Sequence, residues 1–344
     1  MNKEQKQAIA FVVIEILKSR FDSFPNTATI SRNAPFHKAF LQAFSKNFEA
    51  LNLNMDASIT ISSWIHGLNT TLGQSFFEKT AQIVSGGQKR AFKDRKIYSN
   101  QVNTISNIMI DLKNGTQKPN VAREESLLMN NSNGNLTVAQ NFVADCIFEE
   151  KDRIVVIELK SVRPNSGQIH DEKQKILSAK AVLKQLYPNK IISYYFGFPF
   201  DPLSDTETGC DKQRFMNSVI EFSKFCDAKE ILISSELWDF LSGQEHTMED
   251  ILKIIRDIST VDFNDKFDFI SSHNYLNNVE RYRDVVLSWN IYNEIEIINN
   301  FENLLTLSNT NKTVDRNIHS SPFNQDGTYN IRRYNNLKKF ITIN

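Results

Sequence analysis

The sequence predicts an α/β protein whose core is a mixed β-sheet flanked by helices, with helical additions at both ends. Three observations predict it. Apolar residues recur at spacings of three and four through the first hundred or so positions; two β-branched, aromatic runs flank a short charged turn at Lys151-Asp152; helical periodicity then alternates with strand-like runs.

The helical spacing covers residues 9–17, 36–51, 61–84 and 102–112, with breaks at 23–25, at Gly86-Gly87 and at 114–119. Residues 141–149 and 153–161 read as the two strands of a hairpin. Positions 171–186 return to helical periodicity, and the segment IISYYFGF (191–198) is a strand closed by Pro199 and Pro202. A helix at 212–225, a strand at 230–234 and a mostly helical stretch from 248 to about 307 follow. The last 35 or so residues are rich in Asn with little periodicity. The expected division is a helical region over 1–118, the sheet core over 119–245, and a helical region with an Asn-rich tail over 246–344.

With 344 residues, 40% of them hydrophobic, the chain is long enough to bury a substantial core. Its 40 basic and 40 acidic side chains cancel, so a surface for a polyanion must be a local concentration of Lys and Arg. Cys146, Cys210 and Cys226 are too scattered for a disulfide framework or a zinc site, which suits a reducing cytoplasm. The opening 21 residues are broken by Glu15 and Lys18 at helical spacing and read as an amphipathic helix rather than a secretion signal. No apolar run approaches the roughly 20 residues that span a bilayer, so no membrane partner is expected.

Strand alternation carries the main chemical inference. In RIVVIELKS, Glu158 and Lys160 are two apart and share one face, while Leu159 points to the other. If Lys151-Asp152 is a two-residue turn, Glu150 faces Arg153 and the pairing sets Asp145 directly across from Glu158. Two carboxylates and an ammonium then meet on one face. Mg2+ prefers such hard oxygen ligands and is usually held by one or two carboxylates with several waters. Asp145, Glu158 and the backbone carbonyl of Leu159 are therefore the candidate metal ligands, and Lys160 the group that orients or helps deprotonate an attacking water and stabilises charge on a phosphorane. The pattern [D/E]-x-K is common by chance, and Glu4, Asp111, Asp171 and Asp227 each begin another instance. Only Glu158–Lys160 follows a strongly β run with a second acid in phase on the partner strand. The competing reading is a cross-strand salt-bridge cluster on a wet sheet face.

At these residues the chain resembles the PD-(D/E)XK nuclease superfamily: Asp145 stands where its first acid stands, Glu158-Leu159-Lys160 where its E-x-K stands, and Ala144 replaces the proline. The stretch IELKSVRPNSGQIHDEKQKILSAKAVLKQLYPN, with YYFGFPFDP and ELWDFLSG after it, resembles the TdeIII-type group of type II restriction endonucleases. The resemblance covers roughly residues 121–255. It implies a restriction-endonuclease-like fold, double-stranded DNA as substrate, a short palindromic site of the form GGNCC, and a cognate DNA methyltransferase encoded nearby. A homodimer is expected, because one active site cuts one strand and a palindrome matches two-fold symmetry. Relatives often add an acid from the helix before the first catalytic strand; here Glu124 or Glu125 offers one, or both simply favour the start of their helix through its dipole.

Basic residues supply the candidate DNA contacts. Lys89, Arg90 and Lys93 lie close together after Gly86-Gly87, either as a flexible segment that contacts phosphates or as a solvated loop. Arg163 and Asn165 follow the catalytic strand. Lys173, Lys175 and Lys180 lie on the next helix, where Lys173 and Lys180 are expected to form an outward stripe beside the active site. Arg332, Arg333, Lys338 and Lys339 read as a solvated tail that is still able to reach DNA. The N-terminal helical region is the candidate for DNA binding or dimerisation. No phosphate-binding P-loop or dinucleotide turn occurs, and the six histidines lack paired helical spacing. The leading expectation is a Mg2+-dependent type II restriction endonuclease. A repair or structure-selective nuclease on the same core, and a non-catalytic DNA-binding protein with a nuclease-like sheet, are the alternatives.

Overall fold

The structure is a computed structural model that describes residues 1–25, 39, 41–160, 166–219, 221–272 and 277–341. The chain begins with helices α1 (Lys3–Asp22), α2 (Ser45–Ala50), α3 (Met55–Thr71) and α4 (Phe77–Ser85). Strands β1 (Gln88–Phe92) and β2 (Lys96–Tyr98), helices α5 (Ser99–Asn114) and α6 (Val121–Asn130), and strands β3 (Leu136–Val138), β4 (Phe142–Glu149) and β5 (Arg153–Leu159) come next. Then follow α7 (Ser166–Leu186), β6 (Ile191–Phe198), α8 (Lys212–Ser218), α9 (Phe222–Phe225), β7 (Ile231–Ile233) and α10 (Ser235–Ser242). Seven helices close the described chain: α11 (Thr247–Ile258), α12 (Phe263–Ser271), α13 (Val279–Ser288), α14 (Tyr292–Asn299), α15 (Phe301–Ser308), α16 (Lys312–Ile318) and α17 (Ile331–Lys338). None of the described helices is long and apolar enough to cross a membrane.

Two compact units emerge: Met1 with Phe77–Leu252, and Asn2–Phe76 with Lys253–Asn344. The division falls elsewhere than at the sequence boundaries of 118 and 245, because β1 hydrogen-bonds to β4 and so carries its flanking residues into the sheet unit.

The first unit is built on a five-stranded mixed sheet of order β1-β4-β5-β6-β7. Its β1–β4 and β4–β5 pairs are antiparallel, and its β5–β6 and β6–β7 pairs parallel. A two-residue turn joins β4 to β5, with the Glu150 N–H donating to the Arg153 carbonyl at 2.9 Å. The central strand β5 is buried along Ile154–Glu158, as a run of β-branched residues covered on both faces should be. Ile176, Leu177, Val182 and Leu183 of α7 join Ile154, Val156, Tyr194 and Phe196 in the main core, so α7 presses its apolar face on the sheet. Gly197 lets β6 lie close to β5: a Cβ there would meet Ile157 Cγ2 at 2.7 Å and Leu159 Cδ2 at 3.0 Å.

The basic segment after α4 is a strand, which corrects the expectation of a flexible or solvated loop. Gly86 closes α4 in the left-handed region (φ 68°), and a Cβ on Gly87 would meet Cys146 Sγ at 2.7 Å. The glycine pair turns the chain sharply so that β1 can reach β4; its use is close approach, not flexibility.

In the second unit the C-terminal helices bury Ile297, Leu304, Val314, Ile318, Tyr334 and Leu337 as one cluster. Asn311 and Asn330, read in the sequence as part of a featureless Asn-rich tail, cap α16 and α17 by accepting backbone N–H bonds. Arg333 is likewise no solvated tail residue. It is 1% exposed and donates to both oxygens of Glu294, at 2.7 and 2.8 Å, while Tyr282 and Tyr329 donate to the same carboxylate.

Candidate active site

The hairpin register pairs Cys146 with Ile157, and Asp145 and Glu158 are the next positions outward on the two strands. The Leu159 N–H donates to Asp145 Oδ2 at 2.9 Å, which ties the acid of β4 to the end of β5. Just beyond β5, the Lys160 N–H donates to the Gly197 carbonyl at 2.9 Å, extending the parallel pairing to β6. The main chain leading into Lys160 is therefore fixed by the sheet.

Around Glu158, which is 5% exposed, the side chains form a closed set. Lys160 and Lys175 each donate to its Oε1 at 2.9 Å, and the Tyr194 hydroxyl approaches its Oε2 at 3.4 Å. Glu172 accepts from Lys160 at 2.8 Å and from Lys175 at 3.3 Å. Two acids and two ammonium groups thus alternate, and Asp145 stands beside them as an additional negative charge. Burial, and then the Glu158 charge, push the Asp145 carboxyl up to about 6, against the lowering effect of the Leu159 N–H. Burial disfavours the charge on Lys160, but Glu158 and Glu172 outweigh it and raise its pKa. Burial of Glu172 is likewise outweighed, by Lys160 and Lys175, and its pKa is lowered. Lys160 is an ammonium in this arrangement, equipped to donate hydrogen bonds rather than to take a proton.

Helix α4 supplies further groups. Gln82 donates to the Asp145 carbonyl at 2.9 Å, and one turn earlier Glu78 accepts from Lys89 of β1 at 2.6 Å. The Glu78 charge adds to the upward push on Asp145, and Lys89 opposes it. Lys89 is thus electrostatically coupled to the site from the sheet edge. Arg90 donates to the Tyr187 hydroxyl at 2.8 Å, and Lys93, just past β1, is exposed.

Two lysines expected on an outward stripe point inward, which is a correction. Lys173 is 0% exposed, its Nζ 2.7 Å from Glu124 and 2.6 Å from Glu230; Lys180 is 2% exposed and lies 2.9 Å from Glu125. Aliphatic neighbours and three acids from distant segments make the interior the better place for both ammonium groups. The same contacts engage Glu124 and Glu125. Neither joins Asp145 and Glu158: among the described residues no three His, Cys, Asp or Glu side chains gather closely enough to hold a metal ion. Arg163 and Asn165 lie outside the described residues.

Sequence reasoning missed Glu172, Tyr194, Glu78 and Gln82. Glu172 carried one weak signal, its three-residue spacing from Lys175, which places both on one side of a helix; the others carried none, since only the packing of α4 and β6 beside β4 and β5 brings them near.

A family model described as type II restriction endonuclease, HinfI, matches residues 1–259, three quarters of the chain. The chain belongs to the HinfI family of type II restriction endonucleases. It is also 42% identical over 357 aligned positions to the type II restriction enzyme MjaII of Methanocaldococcus jannaschii, across 97% of this chain and 96% of that one. As a member of this family the protein is a site-specific deoxyribonuclease that binds double-stranded DNA, and the hairpin of β4 and β5 lies wholly inside the matched region.

Proposed function

We propose that the protein is a Mg2+-dependent PD-(D/E)XK enzyme with a restriction-endonuclease-like core, in which Asp145, Glu158 and Lys160 cleave the phosphodiester bond. The observation that carries this reading is the face-to-face placement of Asp145 and Glu158, with Lys160 bonded to Glu158 at 2.9 Å.

The donor set suits a hard divalent cation. Asp145 keeps one oxygen on the Leu159 N–H, no donor among the described residues bonds to the other, and Glu158 Oε2 has only the long Tyr194 contact. Burial, and then the neighbouring Glu158 charge, disfavour the ionised Asp145, and a bound cation would offset both. Asp145, Glu158 and the Leu159 carbonyl would hold Mg2+, which when bound supplies positive charge to the phosphodiester and makes water a better nucleophile.

The remaining work falls to side chains of the chain itself. Lys160, an ammonium aligned by Glu158 and Glu172, donates to the scissile phosphate or to the attacking water and stabilises the charge that develops on the phosphorane. Lys175, on the same Glu158 oxygen, keeps that carboxylate turned toward the site. Lys89, Arg90 and Lys93 contact backbone phosphates from the sheet edge.

Two such sites in a homodimer would cut both strands of a palindrome. The resemblance of residues 121–255 to the TdeIII-type group supports a site of the form GGNCC. Incubating the protein with long duplex DNA and Mg2+, then sequencing the ends, tests the reading: discrete fragments cut at GGNCC are expected. Fragments ending at another sequence overturn the site, and a smear or branch-specific cutting overturns the type II reading of the activity. A homodimer is checked by sedimentation of the complex with one cognate duplex, where one protomer per duplex would exclude it.

A further inference from the structure

Helices α16 and α17, in the unit that carries the C-terminal region, enclose an open cleft of about 450 Å³. None of the residues lining it is acidic, and Lys312, Arg316, Arg332 and Arg333 all line it. In a chain whose 40 basic and 40 acidic residues cancel, four cations with no acid at one cleft is a local excess. The Arg333 charge is consumed by Glu294 beneath. Lys312, Arg316 and Arg332 are exposed, and no carboxylate among the described residues lies within ion-pairing distance of them. Asp315, beside Arg316 in the chain, lies 3.3 Å from His319 instead.

The walls are built rather than loose. Arg333 donates through Nε to the Asn317 carbonyl at 3.0 Å as well as to Glu294, so it joins α17 to both α16 and α14. Asn336 donates to the Asn317 side chain at 3.3 Å across the same gap. The cations stand on a fixed frame, and Asn317, Asn330 and Asn336 line the same cleft. A drug-like ligand prefers an apolar enclosed pocket; an open, cationic cleft with amide and hydroxyl donors matches a chain of phosphates.

We propose that this cleft binds the phosphodiester backbone of DNA through Lys312, Arg316 and Arg332. It lies beyond residue 259, where the family match ends. The inference rests on the family's binding of DNA and is independent of which residues cleave it.

The test compares the full-length protein with a Lys312→Ala/Arg316→Ala/Arg332→Ala variant in metal-free buffer, titrated against GGNCC-containing and scrambled duplexes across a salt series. Three lost phosphate contacts should flatten the plot of log affinity against log salt by about two to three units and weaken binding at low salt at least about tenfold, for both duplexes. A charge-keeping variant, Lys312→Arg/Arg316→Lys/Arg332→Lys, should restore the slope, which excludes misfolding as the cause. Single-turnover cleavage of fully bound DNA with Mg2+ should be unchanged in the alanine variant. An unaltered slope overturns the proposal. Saturable binding of inorganic phosphate or a mononucleotide, lost in the alanine variant while duplex affinity stays constant, overturns it in favour of a small-anion site.

Discussion

Glu172 accepts a hydrogen bond from Lys160 at 2.8 Å, reaching back from α7 to the residue that follows β5. Lys160 is thereby held between two carboxylates, Glu158 on its own strand and Glu172 on the helix. A flexible four-carbon side chain loses several rotamers when it is held this way, so its ordering precedes the arrival of DNA. Replacing Glu172 by Ala should lower single-turnover cleavage by about ten- to a hundredfold, as expected when a charge-stabilising group loses its alignment. Glu172→Gln, which still accepts a hydrogen bond, should lose less. DNA affinity should hold or rise, since a negative charge leaves the site. Rapid-quench kinetics at saturating enzyme separates the two effects; a loss of affinity with normal cleavage of bound DNA would show that Glu172 does not act through Lys160.

Asp145→Asn and Glu158→Gln should each abolish detectable cleavage, because each removes an oxygen charge that a hard divalent cation requires. Folding and specific binding measured with Ca2+ should stay close to wild type. Cleavage by either variant at near wild-type rate with Mg2+ would remove that residue from the catalytic set.

The register that sets Asp145 against Glu158 was legible because its causes are local. Alternation fixes the face of each strand, and a two-residue turn at Lys151-Asp152, the short turn the sequence suggested, sets the pairing. The destination of the α7 charges was not legible. Spacing shows that Lys173 and Lys180 share a face but not what covers it, and Glu230, the acid that receives Lys173, lies 57 residues away. The burial of Arg333 was not legible for the same reason, its partner Glu294 being 39 residues distant. In the C-terminal region a local signal was present and overlooked, for Asn311 and Asn330 each stand immediately before an apolar pattern, as capping residues do.

Lys160 and Lys175 share one Glu158 oxygen at the same 2.9 Å distance, yet their substitution should have different consequences. Lys160 follows directly on β5, with its backbone N–H bonded to Gly197, so its ammonium is placed by the sheet. Lys160→Ala should slow cleavage at least about a hundredfold, the low end for a positioned charge-stabilising group. Lys175→Ala leaves Lys160 on Glu158 and should cost about tenfold, by loosening one of two contacts that align the carboxylate. Arginine at 160 should not rescue, since a planar fork cannot replace a compact ammonium between two acids. Equal losses in the two alanine variants would make the lysines interchangeable and contradict the distinction drawn from the backbone.

Lys173 provides the sharpest test of the inward-facing charges on α7. Its ammonium is fully buried, with Glu124 at 2.7 Å and Glu230 at 2.6 Å, and it joins α7 to the start of α6 and to the turn before β7. Burial works against its charge, but Glu230 and Glu124 outweigh it and raise its pKa above the ordinary 10.5. A folded-state pKa that is raised contributes stability fully present below the unfolded value and lost only as the pH rises through the folded one. The contribution should therefore be constant across neutral pH and decline only in strong alkali. Lys173→Met leaves Glu124 buried without its cation and Glu230 with only the more distant Lys180 at 3.8 Å, which should destabilise the protein by about 3–5 kcal/mol in urea unfolding. Adding Glu124→Gln and Glu230→Gln to the same variant should recover much of that loss, because the uncompensated charges are then gone. At a temperature where the single variant remains folded, the salt dependence of its DNA binding should match wild type. A variant of undiminished stability whose salt slope falls by about one unit would mean instead that Lys173 meets a phosphate.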